Sequence, residues 1–335
     1  MCGIFGVIVG EQSSLTAKEV RSITNDLFKL SELRGKESSG IVIKNNERKS
    51  IEIFKNAVPA SKLIKESKFN ELLNSTLTSC FLNKTNKAFS IIGHTRLVTN
   101  GDQSNNNNNQ PVIKNNYTGV HNGIICNIDE LWKDTKDFKQ NNDVDTEWLF
   151  GNLSHQLENI TVPQKIFSDI FNKIEGTVST AGYHSAYANT FLASNNGSLY
   201  YLTEKGDNAL IFSSEKLILE DLIVKNKISS KFDAKDIKWA GNNQLYVIND
   251  ANAQFEKIDF NSEKTVTLKK DDFTITDFSP SIPKDINVSN TKNEDYYASL
   301  FENNLEEISQ LKRCSKCLLP ETFPFIEYDV KGECN

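Results

Sequence analysis

Directly behind Met1 the chain runs through nine residues without a single charge, Cys2-Gly3-Ile4-Phe5-Gly6-Val7-Ile8-Val9-Gly10. A run this apolar, bounded by glycine and far shorter than the roughly 20 residues that cross a bilayer, predicts a strand buried on both faces. It has no basic region ahead of it and no small-residue cleavage site behind it, so it does not read as a signal peptide. A fold that begins on such a strand must assemble its core around the chain terminus. Cys2 then stands first in line. Removal of Met1 beside so small a residue would leave Cys2 with a thiol and a free α-amine, whose ordinary pKa of about 7.7–8.0 keeps a useful fraction unprotonated near neutrality. A nucleophile that carries its own general base is one solution for covalent catalysis. A cysteine taken alone is more often a small buried hydrophobe.

Composition excludes several other classes. The 335 residues are 38% hydrophobic and 24% charged, which fits a globular protein able to bury a large core without disulfides. A net charge of −6, with Lys and Arg scattered, argues against a nucleic-acid partner. No apolar run is long enough for a membrane span. With no export signal the expected compartment is the cytoplasm, where the six cysteines are thiols or metal ligands before they are disulfides.

Leu15, Val20, Ile23, Leu27, Leu30 and Leu33 recur at helical spacing, with Thr16 as a candidate cap. Residues 40–54 alternate as two strands around Asn45-Asn46-Glu47; 61–78 predict a helix, 90–94 a short strand, 118–125 a strand and turn, and 145–157 a helix. Residues 188–202 and 210–224 give strand, turn, strand and helix, and 244–260 a last strand pair. Helices interleaved with so many hairpin-like pairs indicate an α+β fold rather than a purely parallel sheet. The run Asn105–Asn109 is expected to be a mobile surface segment, too polar to bury, with a lid over a site as the alternative. Residues 261–293, polar and containing Pro280 and Pro283, predict a linker, followed by a helix at 294–311. The expected organisation is one domain over 2–260, linker and helix over 261–311, and a Cys-rich segment over 312–335.

Three further segments bear on Cys2. They are Arg34-Gly35-Lys36-Glu37-Ser38-Ser39-Gly40, Gly93-His94-Thr95-Arg96-Leu97-Val98-Thr99-Asn100-Gly101, and Val120-His121-Asn122-Gly123-Ile124-Ile125 with Asp145-Thr146-Glu147 beyond it. Together with Cys2-Gly3-Ile4-Phe5-Gly6 they resemble, in order and approximate spacing over residues 2 to about 260, the class II glutamine amidotransferases, the N-terminal-nucleophile family. The resemblance implies a four-layer αββα sandwich, L-glutamine as substrate and no cofactor for the glutaminase. A glutaminase must clamp an α-carboxylate and an α-ammonium while it attacks a side-chain amide. The carboxylate calls for a planar, permanently charged donor fork; Arg96 matches the family's arginine for this, and Thr99 a supporting hydroxyl. The ammonium calls for a fixed anion, and Asp145 matches it. The developing oxyanion needs preorganised donors, which Asn122 and Gly123 can supply. Arg34 matches an orienting arginine beside the nucleophile. His121, within the substrate-binding segment, is expected to shape the oxyanion loop rather than act as a base.

Singly, each residue has a plainer use. Asp145 could be a helix N-cap, Asn122-Gly123 a hairpin turn, and Arg34 and Arg96 surface ion-pair partners. His94, His155 and His184 are expected to be structural, and Cys80 and Cys126 ordinary thiols. Leu97 and Asn100 depart from the tryptophan and histidine of the glucosamine-6-phosphate synthase branch, and the intervals between Gly40 and Gly93 and after Gly101 look expanded. These departures bear on the acceptor, not on the glutaminase chemistry.

Near the C-terminus, Cys314, Cys317 and Cys334 follow the spacing C-x2-C-x16-C, three-quarters of a zinc-ribbon pattern whose fourth ligand would lie just beyond Asn335. With Pro320, Thr322, Pro324, Asp329 and Gly332, the segment resembles the opening of the N-acetyl-sugar amidotransferases, which are ATP-pyrophosphatase-type enzymes. That implies a partial zinc-ribbon-like tail leading into a synthetase domain, asparagine-synthetase-like in arrangement. ATP, Mg and structural zinc are then expected only in a longer protein, with ammonia passing to a sugar or carboxylate acceptor. The oligomeric state stays open, a homo-oligomer included. Two other readings remain: an N-terminal-nucleophile hydrolase of a different amide, and a degenerate domain kept for regulation or assembly.

Overall fold

A computed structural model describes residues 2–81, 86–99, 101–159, 162–280, 305–322 and 326–334. In chain order the strands are β1 (Gly3–Val9), β2 (Ser38–Asn45), β3 (Ser50–Asn56), β4 (Phe89–Arg96), β5 (Val112–Lys114), β6 (Tyr117–Ile125), β7 (Gly176–His184), β8 (Asn189–Ser194), β9 (Tyr200–Thr203), β10 (Ala209–Ser213), β11 (Lys238–Trp239), β12 (Gln244–Asn249), β13 (Phe255–Asp259) and β14 (Thr274–Asp277). The helices are α1 (Ala17–Ser31), α2 (Ala60–Leu63), α3 (Ser67–Phe81), α4 (Ile128–Asp134), α5 (Asp145–Asn159), α6 (Pro163–Phe171), α7 (Lys216–Asn226) and α8 (Leu305–Gln310). One sheet runs β11-β9-β10-β1-β4-β2-β3-β14 and the other β13-β12-β8-β7-β6-β5.

Side-chain alternation explains the layering. Successive residues of a strand point to opposite faces, and β1 is apolar on both. Phe5, Val7 and Val9 pack with α1, α3 and α7 through Val20, Ile23, Leu27, Leu73 and Leu219. Ile4 and Ile8 face the other way, into a core shared with Val120, Ala181, Leu192 and Tyr246 of the second sheet. The outer face of that sheet packs Phe191 and Leu245 on Leu149, Leu153, Ile166 and Phe167 of α5 and α6. The order is helix, sheet, sheet, helix, as expected. The inter-sheet layer also holds an ion pair, Lys44 Nζ to Asp250 at 2.7 Å, both fully buried. Lys44 donates to the Tyr187 and Asn189 carbonyls and Asp250 accepts from Thr190 Oγ1, so the buried charges are hydrogen-bonded as well as paired.

Three expectations need correction. Residues 261–280 are not a linker: Val266, Leu268 and Phe273 are buried, and β14 pairs in parallel with β3, so the first compact unit extends to Ile282 rather than 260. The polar composition misled because the segment contributes only isolated apolar anchors between exposed neighbours. Pro283 and residues 294–304 lie outside the described residues, and of the expected helix only α8 is described. The helix expected over 61–78 is divided between α2 and α3.

The asparagine run is not an exposed mobile loop either. Asn106, Asn108 and Asn109 are buried, the middle of the run forming a short 3-10 turn. Burial is tolerated because the side-chain amides satisfy one another and nearby backbone. Asn109 Nδ2 donates to the Gln103 carbonyl (2.7 Å) and Asn106 Oδ1 (3.0 Å), Asn106 Nδ2 to the Pro280 carbonyl (2.9 Å), and the Asp143 N–H to Asn108 Oδ1 (3.1 Å).

The second compact unit, Pro283–Asn335, is described over α8 and a cysteine-bearing fold in which Arg313 bridges Pro320 and Tyr328 bridges Cys334.

Candidate active site

Cys2 immediately precedes β1 and shares the parity of Ile4 and Ile8, so it belongs to the inter-sheet face at the strand's open end. It is 8% exposed, with Sγ 3.5 Å from the Leu97 carbonyl. Burial pushes its thiol up, while the Leu97 contact and the Arg96 charge pull the other way. On β4, Ile92 faces the same core, which places His94 and Arg96 on that side. On β6, Val120 does likewise and Asn122 follows it, whereas His121 alternates outward. The side chains of Cys2, Arg96 and Asn122 therefore project from three strands of two sheets into one interlayer space.

Arg34 ends the turn after α1. Its Nε donates to the Cys2 carbonyl at 2.8 Å and its guanidinium pairs with Glu215 at the start of α7. That turn lies against the end of β4, where the Glu37 N–H donates to the Arg96 carbonyl. Gly35 allows the approach, since a Cβ there would fall 2.1 Å from the Arg96 carbonyl carbon. The Arg96 guanidinium donates to Asn109 Oδ1 (2.7 Å) and the Gly101 carbonyl (3.0 Å). Burial lowers its pKa, offset by the charges of Cys2 and Asp145. Thr99 is exposed on the segment that leaves β4, and Asn100 lies outside the described residues.

The outer edge of β6 carries a second set of groups. In an antiparallel ladder alternate residues turn their N–H and C=O to opposite sides of the strand. Val178, opposite Gly123 on β7, bonds Asn195 through both its N–H and its carbonyl, so the pair Gly123–Val178 is of the non-hydrogen-bonded kind. The backbone groups of His121, Gly123 and Ile125 then face away from β7. The His121 N–H donates to Gln110 Oε1 while Gln110 Nε2 donates back to the His121 carbonyl, and the Ile125 N–H donates to Asp145 Oδ2 at 3.0 Å. Gly123 N–H faces the same edge between them. Its φ of +153° and a notional Cβ only 1.8 Å from the Thr177 carbonyl admit no other residue. Asn122 is 1% exposed, and its Oδ1 is buried without a hydrogen-bond partner among the described residues.

Asp145 opens α5, its Oδ1 accepting from the Thr146 N–H at 2.8 Å. His121 Nδ1 lies 3.2 Å from Thr146 Oγ1 and Nε2 3.4 Å from the Thr177 carbonyl, a ring packed against α5 rather than open to the interlayer space. Burial, then the nearby Arg96 charge, holds His94 well below the usual histidine range, and burial takes His184 down to about 4. His155 is partly exposed, 3.9 Å from Asp137. Cys80 is buried and Cys126 exposed, both as free thiols. Asn109, Gln110 and Glu215 were not singled out from the sequence. Only their distant partners mark them, and the one local signal was Gln110-Pro111 closing a run otherwise uniform in asparagine.

In the second unit the sulfurs of Cys314, Cys317 and Cys334 lie within 4.8 Å of one another, Cys317 to Cys334 at 3.3 Å. Cys314 Sγ accepts backbone N–H bonds from Lys316, Cys317 and Cys334.

Two antiparallel-rich sheets packed face to face between helical layers form the fold of the N-terminal-nucleophile hydrolases. Residues 94–221 match the family described as glutamine amidotransferase domain. The glutamine–fructose-6-phosphate aminotransferase [isomerizing] of Wigglesworthia glossinidia brevipalpis is 35% identical over 48% of this chain and 23% of its own length. That of Shouchella clausii (strain KSM-K16) is 28% identical over 65% of this chain and 33% of its own. The solved structure of the allosteric regulatory enzyme of purine biosynthesis superposes with a TM-score of 0.54 at 18% identity, over 79% of this chain and 50% of that one. Over residues 94–221 the chain is thus similar to glutamine amidotransferase domains. It spans only a quarter to a third of the curated relatives it matches.

Proposed function

We propose that the domain hydrolyses L-glutamine to glutamate and ammonia through a thioester on Cys2. Arg96 receives the substrate α-carboxylate, supported by Thr99, and Asp145 receives the α-ammonium. The α-amine of Cys2, free once Met1 is removed, takes the thiol proton as Sγ attacks the side-chain carbonyl carbon. The oxyanion accepts from Asn122 and the Gly123 N–H. The amine returns the proton to the leaving nitrogen, the C–N bond breaks and ammonia departs. Water, deprotonated by the same amine, then cleaves the thioester to glutamate. Arg34 orients the nucleophile through the Cys2 carbonyl, and His121 braces the oxyanion segment. The observation that carries this reading is the backbone edge of β6, where Gly123 N–H opens beside Asp145 while its neighbours are capped. Clamp residues of both signs favour an amino acid over other amides.

Glutamate release from L-glutamine, with peptide mass spectrometry, tests it. Met1 is expected to be absent, a glutamine-shaped electrophile to label Cys2, and Cys2→Ala to abolish release. Retained Met1 or an unlabelled Cys2 would overturn the mechanism.

The ammonia goes to an ATP- and Mg-dependent synthetase domain or subunit acting on a sugar or carboxylate; what supports this is the sequence pattern around Cys314. In a longer protein that supplies a fourth ligand beyond Asn335, Cys314, Cys317 and Cys334 would hold a thiophilic divalent metal, zinc above all. Their sulfurs lie within 4.8 Å of one another, close enough to share one ion, and N–H donors around Cys314 favour the thiolate form that a thiophilic metal would need. Cobalt(II) is expected to give thiolate-to-metal absorption bands that weaken in Cys317→Ser; a Cys317–Cys334 disulfide and no bands would overturn it.

A further inference from the structure

One side-chain partner of Arg96 is a residue that the reaction itself does not call for. Asn109 is fully buried, and its Oδ1 takes an N–H of the guanidinium at 2.7 Å. Asn109 is in turn fixed on its other atoms: Nδ2 donates to the Gln103 carbonyl and Asn106 Oδ1, and its own carbonyl accepts from Lys55 Nζ at 2.9 Å. Lys55 follows Ile51 and Ile53 on the inter-sheet face of β3, is itself buried, and also donates to the Pro111 carbonyl at 2.7 Å. A buried ammonium is costly unless its donors are used, and here two of them hold the Asn109 and Pro111 carbonyls where the asparagine segment runs into β5. A neutral amide oxygen is the appropriate neighbour for a carboxylate clamp. It fixes the plane of the guanidinium without cancelling its charge, whereas a carboxylate in the same place would compete with the substrate.

We propose that Asn109, backed by Lys55, is the positioning residue that aims Arg96 at the α-carboxylate and so sets selectivity for amino-acid amides. The proposal rests on the glutaminase reading above. Its test compares L-glutamine with 4-aminobutanamide, the same amide without the α-carboxylate, on the full chain. Asn109→Ala is expected to raise KM for glutamine about tenfold, the scale of one hydrogen bond to a charged group, with a much smaller change in kcat and none in kcat/KM for 4-aminobutanamide. Asn109→Asp, which keeps the shape and carries the test if the alanine variant fails to fold, is expected to raise KM further by neutralising Arg96. Lys55→Met moves KM in the same direction, less far. Equal losses on both amides, or an Asn109→Asp variant with wild-type KM, would overturn the role. Calorimetric binding of glutamine to Cys2→Ala, with and without Asn109→Asp, separates the two readings. If the wild-type chain shows no turnover yet binding weakens with Asn109→Asp, only the hydrolysis fails; if the wild-type chain turns glutamine over and binding is indifferent to Asn109→Asp, only the positioning fails.

Discussion

At the scale of single residues, the domain depends on positions with no spare volume. Gly123 is the sharpest case, because a methyl group would collide with the Thr177 carbonyl and twist the N–H that opens on the β6 edge. Gly123→Ala is expected to lower kcat for glutamine by on the order of 10²–10³-fold, the usual loss for one oxyanion donor, measured as glutamate release at saturating substrate. Burial raises the Cys2 thiol, so a small neutral alkylating agent at neutral pH should reach exposed Cys126 and Cys317 first. Peptide mapping over time checks the order; early loss of Cys2 would contradict it. Cys2, Arg34, Arg96, Asn122, Gly123 and Asp145 stand out in the sequence as candidates because a glutamine substrate would call for those residue types and the motifs keep their order. Asn109 and Glu215 were not, because an amide or carboxylate that serves another side chain has no spacing signature. Its partner is chosen by the fold.

At the scale of elements, local signals worked where an element carries its own period and caps. Thr16 accepts from the Glu19 N–H while Glu19 reaches back to the Thr16 N–H, a reciprocal capping box at the head of α1. Thr16→Ala is expected to cost about 1 kcal/mol, read from urea unfolding at constant m-value; no shift in midpoint would mean the helix end is held by packing alone. Elements defined by distant partners were the ones missed. The strand β14 has four residues and no pattern of its own, and forms because β3 offers a free edge. The asparagine turn failed differently: its composition predicts solvent, yet a set of amides that can satisfy one another is as suited to burial as a ladder of backbone groups.

At the scale of the molecule, the buried histidines make the folded state sensitive to acid. Burial lowers His184 to about 4 and His94 well below the ordinary value, so the unfolded chain binds protons at a higher pH than the folded one. Stability is therefore fully present above about 6.5 and falls as pH drops through the window toward 4. Thermal melts between pH 7 and 4.5 are expected to show this slope, and His184→Gln to flatten part of it. An unchanged slope would assign acid sensitivity to the carboxylates. Among the described residues no helix is long and apolar enough to cross a membrane.

The parallel pairing of β14 with β3 has a practical consequence. A recombinant fragment stopped at residue 260, where composition suggests a boundary, would uncover a strand edge bearing Ile51 and Ile53 and would also remove the Pro280 carbonyl that receives Asn106. Open apolar edges recruit other chains. Such a fragment is expected to run as self-associated material on size exclusion with weakened glutamine affinity, while one carried through Ile282 keeps its edge covered.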